Sequence, residues 1–412
     1  MAVLDDLMIE AARCINCKNQ PCVLACPAHN QIPELMKKVR IGDFDGARQT
    51  WHETSVLSEV CGVLCPHEAL CEGHCTLNKL QKPIKIGWIE EQMSILYKDK
   101  VDYPFNKINK KHLVIGLGPA GISNALRMAE YGFEVHAFEK ESSLGGAVYT
   151  HVPDFRYDHF RLNHFEHRFK ELNIQVTYNT VVGIDVFLDD LIDQYESIFI
   201  ACGLDKPTEI DITHDRDLKI HYAIDLLNRN LYNPNDLEEM LGKTIGIVGL
   251  GNVSVDIART LIRLDKEVHI IYRRTLEEAP ASPSEIMEAV NEGVYIHELF
   301  GPVNFKKGQS SKVLDCDRTC LIKDPDSSRS KVEVLKDQSV AFNLDDLIFA
   351  TGQKSSYQVF RDSKVHLVKG KEDYLTNYPS IFVGGDLVNK EKRIVDAMVS
   401  GQTVAKLIWE SL

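Results

Sequence analysis

The stretch that decides the fold is His112-Leu-Val-Ile-Gly116-Leu-Gly118-Pro119-Ala120-Gly121, followed by Ile122, Ala125, Leu126 and Ala129 and then by Val135-His-Ala-Phe138-Glu139. A short apolar run, a glycine-rich turn, an apolar stripe at helical spacing and a second apolar run ending in an acid form a β-turn-α-β unit. The three glycines have separate jobs: one makes the tight turn, one lets a pyrophosphate approach the backbone, and one lets helix pack on strand. The helix that follows offers unpaired N–H groups and a positive dipole end to phosphates. Glu139 lies 23 residues after Gly116, the spacing of an acid that accepts ribose hydroxyls. The bland alternative is a glycine turn with no ligand.

A second copy starts about 130 residues later, a duplicated architecture rather than a short repeat. It reads Thr244-Ile-Gly-Ile-Val248, then Gly249-Leu-Gly251-Asn252-Val253-Ser254 with Asp256 two residues on, a helical stripe through Val255, Ala258, Leu261 and Ile262, and Val268-His-Ile-Ile-Tyr272. Ser254 replaces the third glycine, and the second strand runs into Arg273 and Arg274 instead of an acid. Arginine there can fork onto a 2′-phosphate, which favours NADPH over NADH, although a pair of solvated side chains is the plain alternative.

Two such units in one chain point to a flavin plus a nicotinamide nucleotide. Phe349-Ala350-Thr351-Gly352 is a strand ending in a small-residue turn, and Ile381-Phe-Val-Gly-Gly385-Asp386 is a strand ending in an acid able to hold a ribityl hydroxyl. The helix expected near Arg393-Ile394-Val-Asp-Ala397 can aim its N-terminus at a reduced, anionic isoalloxazine.

Cysteine is the compositional anomaly. Of 11 cysteines in 412 residues, eight lie before residue 76, in the runs Cys14-x2-Cys17-x4-Cys22-x3-Cys26-Pro27 and Cys61-x3-Cys65-Pro66-x4-Cys71-x3-Cys75. Net charge is −13, which argues against a nucleic-acid partner. No apolar run reaches the length of a membrane span, and the acidic start lacks the basic region of a signal peptide. A cytoplasmic setting is expected, where clustered thiols are metal ligands rather than disulfides. Two such runs, each with a proline directly behind a cysteine, suit iron–sulfur clusters; one or two tetrahedral zinc sites are the alternative. Short helices are expected around Leu35–Val39 and Ala47–Trp51, a solvated connector over Tyr103–Lys111, and a surface hairpin tip at Ser327-Ser-Arg-Ser330 beside Pro325. Cys202, in the turn Ala201-Cys-Gly203, reads as structural, and Cys316 and Cys320 as part of a surface hairpin.

The order of these motifs, with Leu144-Gly145-Gly146 between them, resembles flavoproteins with two dinucleotide-binding domains, the glutathione-reductase-like FAD/NAD(P) fold. The redox cysteine pair of the disulfide-reductase branch is missing beside the flavin motifs. The cysteine region resembles the N-terminal iron–sulfur domain shared by the NADPH-oxidising small subunit of glutamate synthase and by dihydropyrimidine dehydrogenase, so the resemblance covers essentially the whole chain. It implies an α/β protein with an N-terminal α-helical iron–sulfur domain (1–105), a discontinuous Rossmann-like FAD domain (106–204 and 351–412) and a Rossmann-like NAD(P)H domain (205–350).

Carried over residue by residue, the resemblance implies an FAD site made by Gly116, Gly118, Pro119, Ala120, Gly121, Glu139, Lys140, Gly145, Gly146, Ala147, Arg156 (in Pro153-Asp-Phe-Arg156), Thr351, Gly352, Gly385, Asp386 and Ile394. It implies an NADPH site, with NADH as the alternative, made by Gly249, Gly251, Asn252, Val253, Ser254, Asp256, Arg273 and Arg274. Two 4Fe-4S clusters are implied, one on Cys14, Cys17, Cys22 and Cys75, the other on Cys26, Cys65, Cys71 and a carboxylate, Glu90, with Cys61 the competing ligand. The expected chemistry is centred on the flavin and no protein nucleophile stands out; Glu285 is a candidate only for shaping the nicotinamide pocket. An FMN barrel and an amidotransferase module are both missing, so a partner redox subunit, FMN-bearing, is expected to hold the acceptor. Ala279-Pro-Ala-Ser in place of Met-Pro, and the early Cys14, look more like the dihydropyrimidine dehydrogenase subunit than the glutamate synthase small subunit; the Arg273-Arg274 pair departs from that pattern. A bifurcating transhydrogenase subunit and a zinc-bearing flavoprotein are the further alternatives.

Overall fold

The computed structural model describes residues 2–96, 107–309, 311–324, 329–368 and 374–411. Residues 103–106 of the expected connector at 103–111, and Pro325, Ser327 and Ser328 of the expected hairpin tip, lie outside the described residues. The chain forms two compact units: residues 1–149, 154–204 and 355–412 in the first, and 150–153 with 205–354 in the second.

The first unit begins with short helices, among them α1 (Phe44–Thr54), α2 (Ser58–Leu64) and α3 (Ile86–Leu96). Asp43 caps α1 by accepting the Gly46 amide at 3.0 Å, satisfying one of the unpaired N–H groups of its first turn. The apolar faces of α1 and α3 close on Leu35, Met36, Trp51, Ile86 and Ile89, and this core includes Cys26 and Cys71. Each such Leu or Ile buried from water contributes roughly 1.5–3 kcal/mol.

Next come β1 (Lys111–Ile115), α4 (Pro119–Glu130) and β2 (Glu134–Phe138). Their sheet runs in the order Ile381–Val383, Ser197–Ile200, β1, β2, Gln175–Thr177, all parallel. β1 is buried on both faces after its first residue, as a central parallel strand must be. Its one polar side chain inside, His112, is satisfied by Ser197 at 2.7 Å and Asn124 at 2.8 Å. The C-terminal helix (Ile394–Glu410) lies along α4. There Ser123 donates to the Met398 carbonyl at 2.9 Å and Asn124 to that of Gly401 at 3.0 Å.

A buried ion cluster ties α1 to this layer. Glu130 accepts from His52 of α1 at 3.0 Å, from Arg127 at 2.7 Å and from Arg168 at 3.0 Å. Burial alone would raise the Glu130 carboxyl, but the hydrogen bond and charge of His52 and the two arginines hold it near 2.

The second unit repeats the layout with β3 (Thr244–Val248), α5 (Asn252–Ile262) and β4 (Glu267–Tyr272), and α6 (Pro283–Asn291) packs on α5. The parallel sheet order is Tyr295–Glu298, β4, β3, Asp346–Phe349, Ile220–Tyr222. A four-stranded sheet of β5 (Lys312–Ile322), β6 (Lys331–Leu344), Phe300–Lys307 and Thr213–His214 completes it. β5 and β6 are an antiparallel hairpin, but Cys316 is not on its surface. Strand alternation turns Leu314 and Cys316 into one apolar layer with Phe305, Leu344 and Ile271, and burial pushes the Cys316 thiol up to about 12.

Candidate nucleotide and iron–sulfur sites

The first glycine turn is shaped by what surrounds it. Gly116 has φ +92°, and a Cβ there would stand 2.7 Å from the Ala201 carbonyl. A Cβ on Gly121 would stand 1.8 Å from the Gly116 carbonyl, so only glycine lets α4 start this close to the strand. Gly118 caps α4 without a side chain and Pro119 is its first residue, leaving the first N–H groups facing outward. Glu139 directly follows β2, is buried, and accepts the Leu117 amide at 2.6 Å and the Glu141 amide at 2.9 Å. Burial raises its carboxyl, and those two amides oppose the shift.

Other members of the expected flavin set gather at this turn. Gly146, at φ +53°, sits so that a Cβ would lie 2.7 Å from the Gly118 Cα, and a Cβ on Gly385 would lie 2.9 Å from that of Ala120. Ala147 opens a short helix, Arg156 is half-buried, and Ile394 starts the C-terminal helix. Asp386 is largely buried and its Oδ1 has no partner; burial pushes its carboxyl up to about 6 despite Lys392. A buried acceptor without a donor fits a hydroxyl-bearing ligand. Lys140 points to solvent and pairs with Glu141 at 3.6 Å. Thr351 and Gly352 belong to the second unit, where Thr351 donates to the Thr208 carbonyl at 2.7 Å and Thr208 returns its amide to Gly352 at 2.9 Å.

The second turn copies the first with one change. Gly249, at φ +114°, faces the Ala350 carbonyl at 2.4 Å from a would-be Cβ, so Ala350-Thr351-Gly352 plays the part that Ala201-Cys202-Gly203 plays in the first unit. Ser254 sits where Gly121 sits, and its hydroxyl donates to the Gly249 carbonyl at 2.6 Å. Gly251 caps α5, Asn252 accepts the Ser282 amide at 3.1 Å, Val253 is half-buried, and Asp256 is buried within the helix.

Register shows which residue replaces the acid. The Gly116 amide donates to Phe138, one residue before Glu139; the Gly249 amide donates to Ile271, one residue before Tyr272. Tyr272 therefore occupies the acid's place, and its hydroxyl donates to the Glu278 carbonyl at 2.9 Å. Arg273 is exposed, with no side-chain partner given by the described residues, whereas Arg274 is held by the Glu278 carboxylate and the Ser330 carbonyl. Glu285 lies on α6 and pairs with Arg259 of α5 at 2.7 Å, inside a network with Glu288 and Glu292. That places it in helix packing.

The eight N-terminal cysteines divide between two cavities. Cys14, Cys17, Cys22 and Cys75 line one, with Ile32, Met36 and Ile84. Cys26, Cys61, Cys65, Cys71 and Glu90 line the other, with His67, Val395 and Met398. No three such donors among the described residues converge closely enough for a single metal ion; the thiols stand back around a space. Glu90 is 3% exposed, its Oε1 has no partner, and burial pushes its carboxyl up to about 8. Sequence reading missed His67, whose Nε2 lies 3.0 Å from the Cys61 carbonyl while Nδ1 lies 3.5 Å from the Cys71 sulfur; its place next to Cys65-Pro66 was the available signal. Val395 and Met398 come from the helix that begins at Ile394, so the helix that opens on one residue of the expected flavin set also borders the second cysteine cavity.

Comparison with known proteins agrees with this layout. Residues 3–100 match a family described as dihydropyrimidine dehydrogenase domain II, 4Fe-4S cluster, and residues 110–401 match pyridine nucleotide-disulphide oxidoreductase. The glutamate synthase [NADPH] small chain of Escherichia coli K12 is 28% identical over 421 residues, covering 96% of this chain and 89% of that one. The NAD-dependent dihydropyrimidine dehydrogenase subunit PreT of the same organism is 28% identical over 408 residues, covering 98% and 93%. FprA of Mycobacterium tuberculosis, solved with NADPH, superposes with a TM-score of 0.61 at 17% identity over 74% of this chain and 86% of its own, a likeness of fold. Lactococcus lactis thioredoxin reductase does so at 0.53, 18% identity, and 73% and 98% coverage. No described helix is long and apolar enough to cross a membrane. The chain belongs to the pyridine nucleotide-disulphide oxidoreductase family, and within it to the NAD(P)H-oxidising flavin and iron–sulfur proteins typified by the glutamate synthase small chain and the dihydropyrimidine dehydrogenase subunit.

Proposed function

We propose that this chain is a cytoplasmic electron-input subunit, taking NADPH at the second glycine turn, FAD at the first and two 4Fe-4S clusters in the cysteine cavities. The observation that carries the reading is the division of the eight cysteines into two separate cavities, four in each. Thiols standing around a space suit a cluster with several irons, whereas zinc draws four donors onto one point. Cys14, Cys17, Cys22 and Cys75 would hold one cluster; Cys26, Cys65, Cys71 and Glu90 the other, with Cys61 a spare thiol. The unpartnered Glu90 oxygen supports the carboxylate ligand. The working boundaries of the three domains are those implied by the resemblance, 1–105, 106–204 with 351–412, and 205–350.

FAD, when bound, accepts hydride from the nicotinamide and releases electrons singly. The chain's own part is positioning. The α4 N-terminus offers N–H groups to the diphosphate, Glu139 accepts ribose hydroxyls, and Asp386 takes a ribityl hydroxyl. The α5 N-terminus does the same for the nicotinamide nucleotide. No Cys, His or Tyr acts as nucleophile.

The electrons leave to a partner subunit. Sequence details around Ala279 favour an FMN-bearing partner that reduces uracil or thymine, as in dihydropyrimidine dehydrogenase. Tyr272 in the acid's place favours the second reading, glutamate synthase, because the relatives of that name are NADPH enzymes while the PreT relatives are NAD-dependent. Co-purification with the native partner tests both. A partner that carries FMN and reduces uracil supports the first, a glutamine amidotransferase supports the second, and a zinc-containing protein without iron overturns the electron-input reading.

A further inference from the structure

The end of β4 is met by a segment from far along the chain. The Arg274 guanidinium donates to the Ser330 carbonyl at 2.6 Å, and the Ser330 amide donates to the Glu278 carboxylate at 3.3 Å. Glu278 also takes the Arg274 guanidinium, and its carbonyl takes the Tyr272 hydroxyl at 2.9 Å. The stretch just before β6 is thus clipped onto the turn that follows β4. On the other side of that turn, Thr319 of β5 donates to the Arg273 carbonyl at 2.9 Å. The residue next to Ser330 is Arg329, which is exposed.

Tyr272 feels the charges of Arg329, Arg274 and Arg273, with Glu278 the acid among them. The comparison with the first unit gives the place its meaning. There the residue in register with Tyr272 is Glu139, a carboxylate suited to two ribose hydroxyls. In the second unit the carboxylate is gone from the strand, a neutral hydroxyl stands in register with it, and arginines come from two segments, Arg273 and Arg274 at the strand end and Arg329 beside the clipped Ser330. A ribose carrying a 2′-phosphate suits such a place and a bare diol does not. Arg274 is occupied by Glu278 and Ser330, which makes it the clip that holds the two segments together. Arg273 offers its charge from the strand side.

We propose that Arg329 is the second reader of the NADPH 2′-phosphate beside Arg273, with Arg274 and Glu278 fixing the segment that carries it. This deepens the NADPH assignment and rests on it.

The test uses the flavin-loaded protein with ferricyanide as acceptor, and separately the binding of adenosine 2′,5′-bisphosphate and 5′-AMP by calorimetry. Arg329→Ala should raise the KM for NADPH about tenfold, the size of one lost charge-assisted contact, with kcat and the NADH KM within twofold. It should weaken adenosine 2′,5′-bisphosphate by a similar factor and leave 5′-AMP unchanged, and Arg329→Lys should recover part of the loss. Lys331→Ala, exposed and paired with Glu333, should change none of these. Unchanged NADH kinetics and 5′-AMP binding also show that the variant has folded. If Arg273→Ala abolishes the preference for NADPH while Arg329→Ala leaves it intact, Arg329 is overturned and the NADPH assignment stands. A wild-type protein that prefers NADH, or binds the two adenosine phosphates equally, overturns both.

Discussion

The Ser254 hydroxyl donates to the Gly249 carbonyl at 2.6 Å, while a Cβ at Gly121, the matching place in the first unit, would stand 1.8 Å from the Gly116 carbonyl. The two turns share a path but differ in how closely helix approaches strand. Gly121→Ser should therefore cost about 3 kcal/mol or more and yield protein without flavin, because the carbonyl cannot retreat from a central strand. Ser254→Ala should cost only about 1 kcal/mol, one buried hydrogen bond. Thermal denaturation and the flavin absorbance of the purified variants check both; equal losses would contradict the difference in spacing.

Glu90 and Cys61 compete for one role in the second cavity. Glu90→Ala should change the EPR signal of one reduced cluster and leave the other as it was, with iron per chain falling by about one. Cys61→Ser should leave both signals alone. The reverse pattern would return Cys61 to the ligand set.

Asp386 holds a buried oxygen with no donor. Asp386→Ala should weaken FAD about tenfold or more, the scale of a hydrogen bond to a charged group, read as the flavin-to-protein ratio after gel filtration. Undiminished flavin would show that this carboxylate faces something else.

His112 contributes a pH dependence. Burial, against the hydrogen bonds of Asn124 and Ser197, lowers it from 6.5 to about 4. The unfolded chain then binds the proton first, so stability is full above about pH 6.5 and falls as the pH drops towards 4, by about 3 kcal/mol in all. His52, also lowered by burial, adds the same sign. Glu130, held near 2, is lost from below pH 4.5 downward, a separate window. His112→Gln should flatten the fall in melting temperature between pH 6.5 and 4.5; an unchanged slope would remove His112 as its source.

What could be read from sequence was local. Gly116 to Gly121 and Gly249 to Ser254 announce themselves because turn, strand and helix are adjacent in the chain, whereas the carbonyls that crowd Gly116 and Gly249, those of Ala201 and Ala350, come from distant strands. What spacing could not give was pairing across distance. Cys75 lines a cavity with Cys14, a grouping that the family resemblance implied but that the spacing of the two cysteine runs does not, because spacing has no power over which helices meet. Tyr272 is aligned with Glu139 only through strand register, and Ser330 reaches Glu278 only because a hairpin folds back. Glu285 pairs with Arg259 on the neighbouring helix, a partnership that no spacing in the sequence announces.

The Glu130 cluster bears on how such proteins can be taken apart. The two family matches stop at residue 100 and resume at residue 110, which invites cutting the chain between them. Yet His52 lies on one side of that gap and Arg127, Glu130 and Arg168 on the other, all around one buried carboxylate. Arg127 also donates to the main-chain carbonyls of His52 and Glu53. A chimera that keeps only the later segment inherits two arginines and a glutamate whose shared lid has been removed. A graft that carries residues 44–54 along with it keeps the seam closed, so the transplantable piece is set by that charge cluster and not by the family boundary.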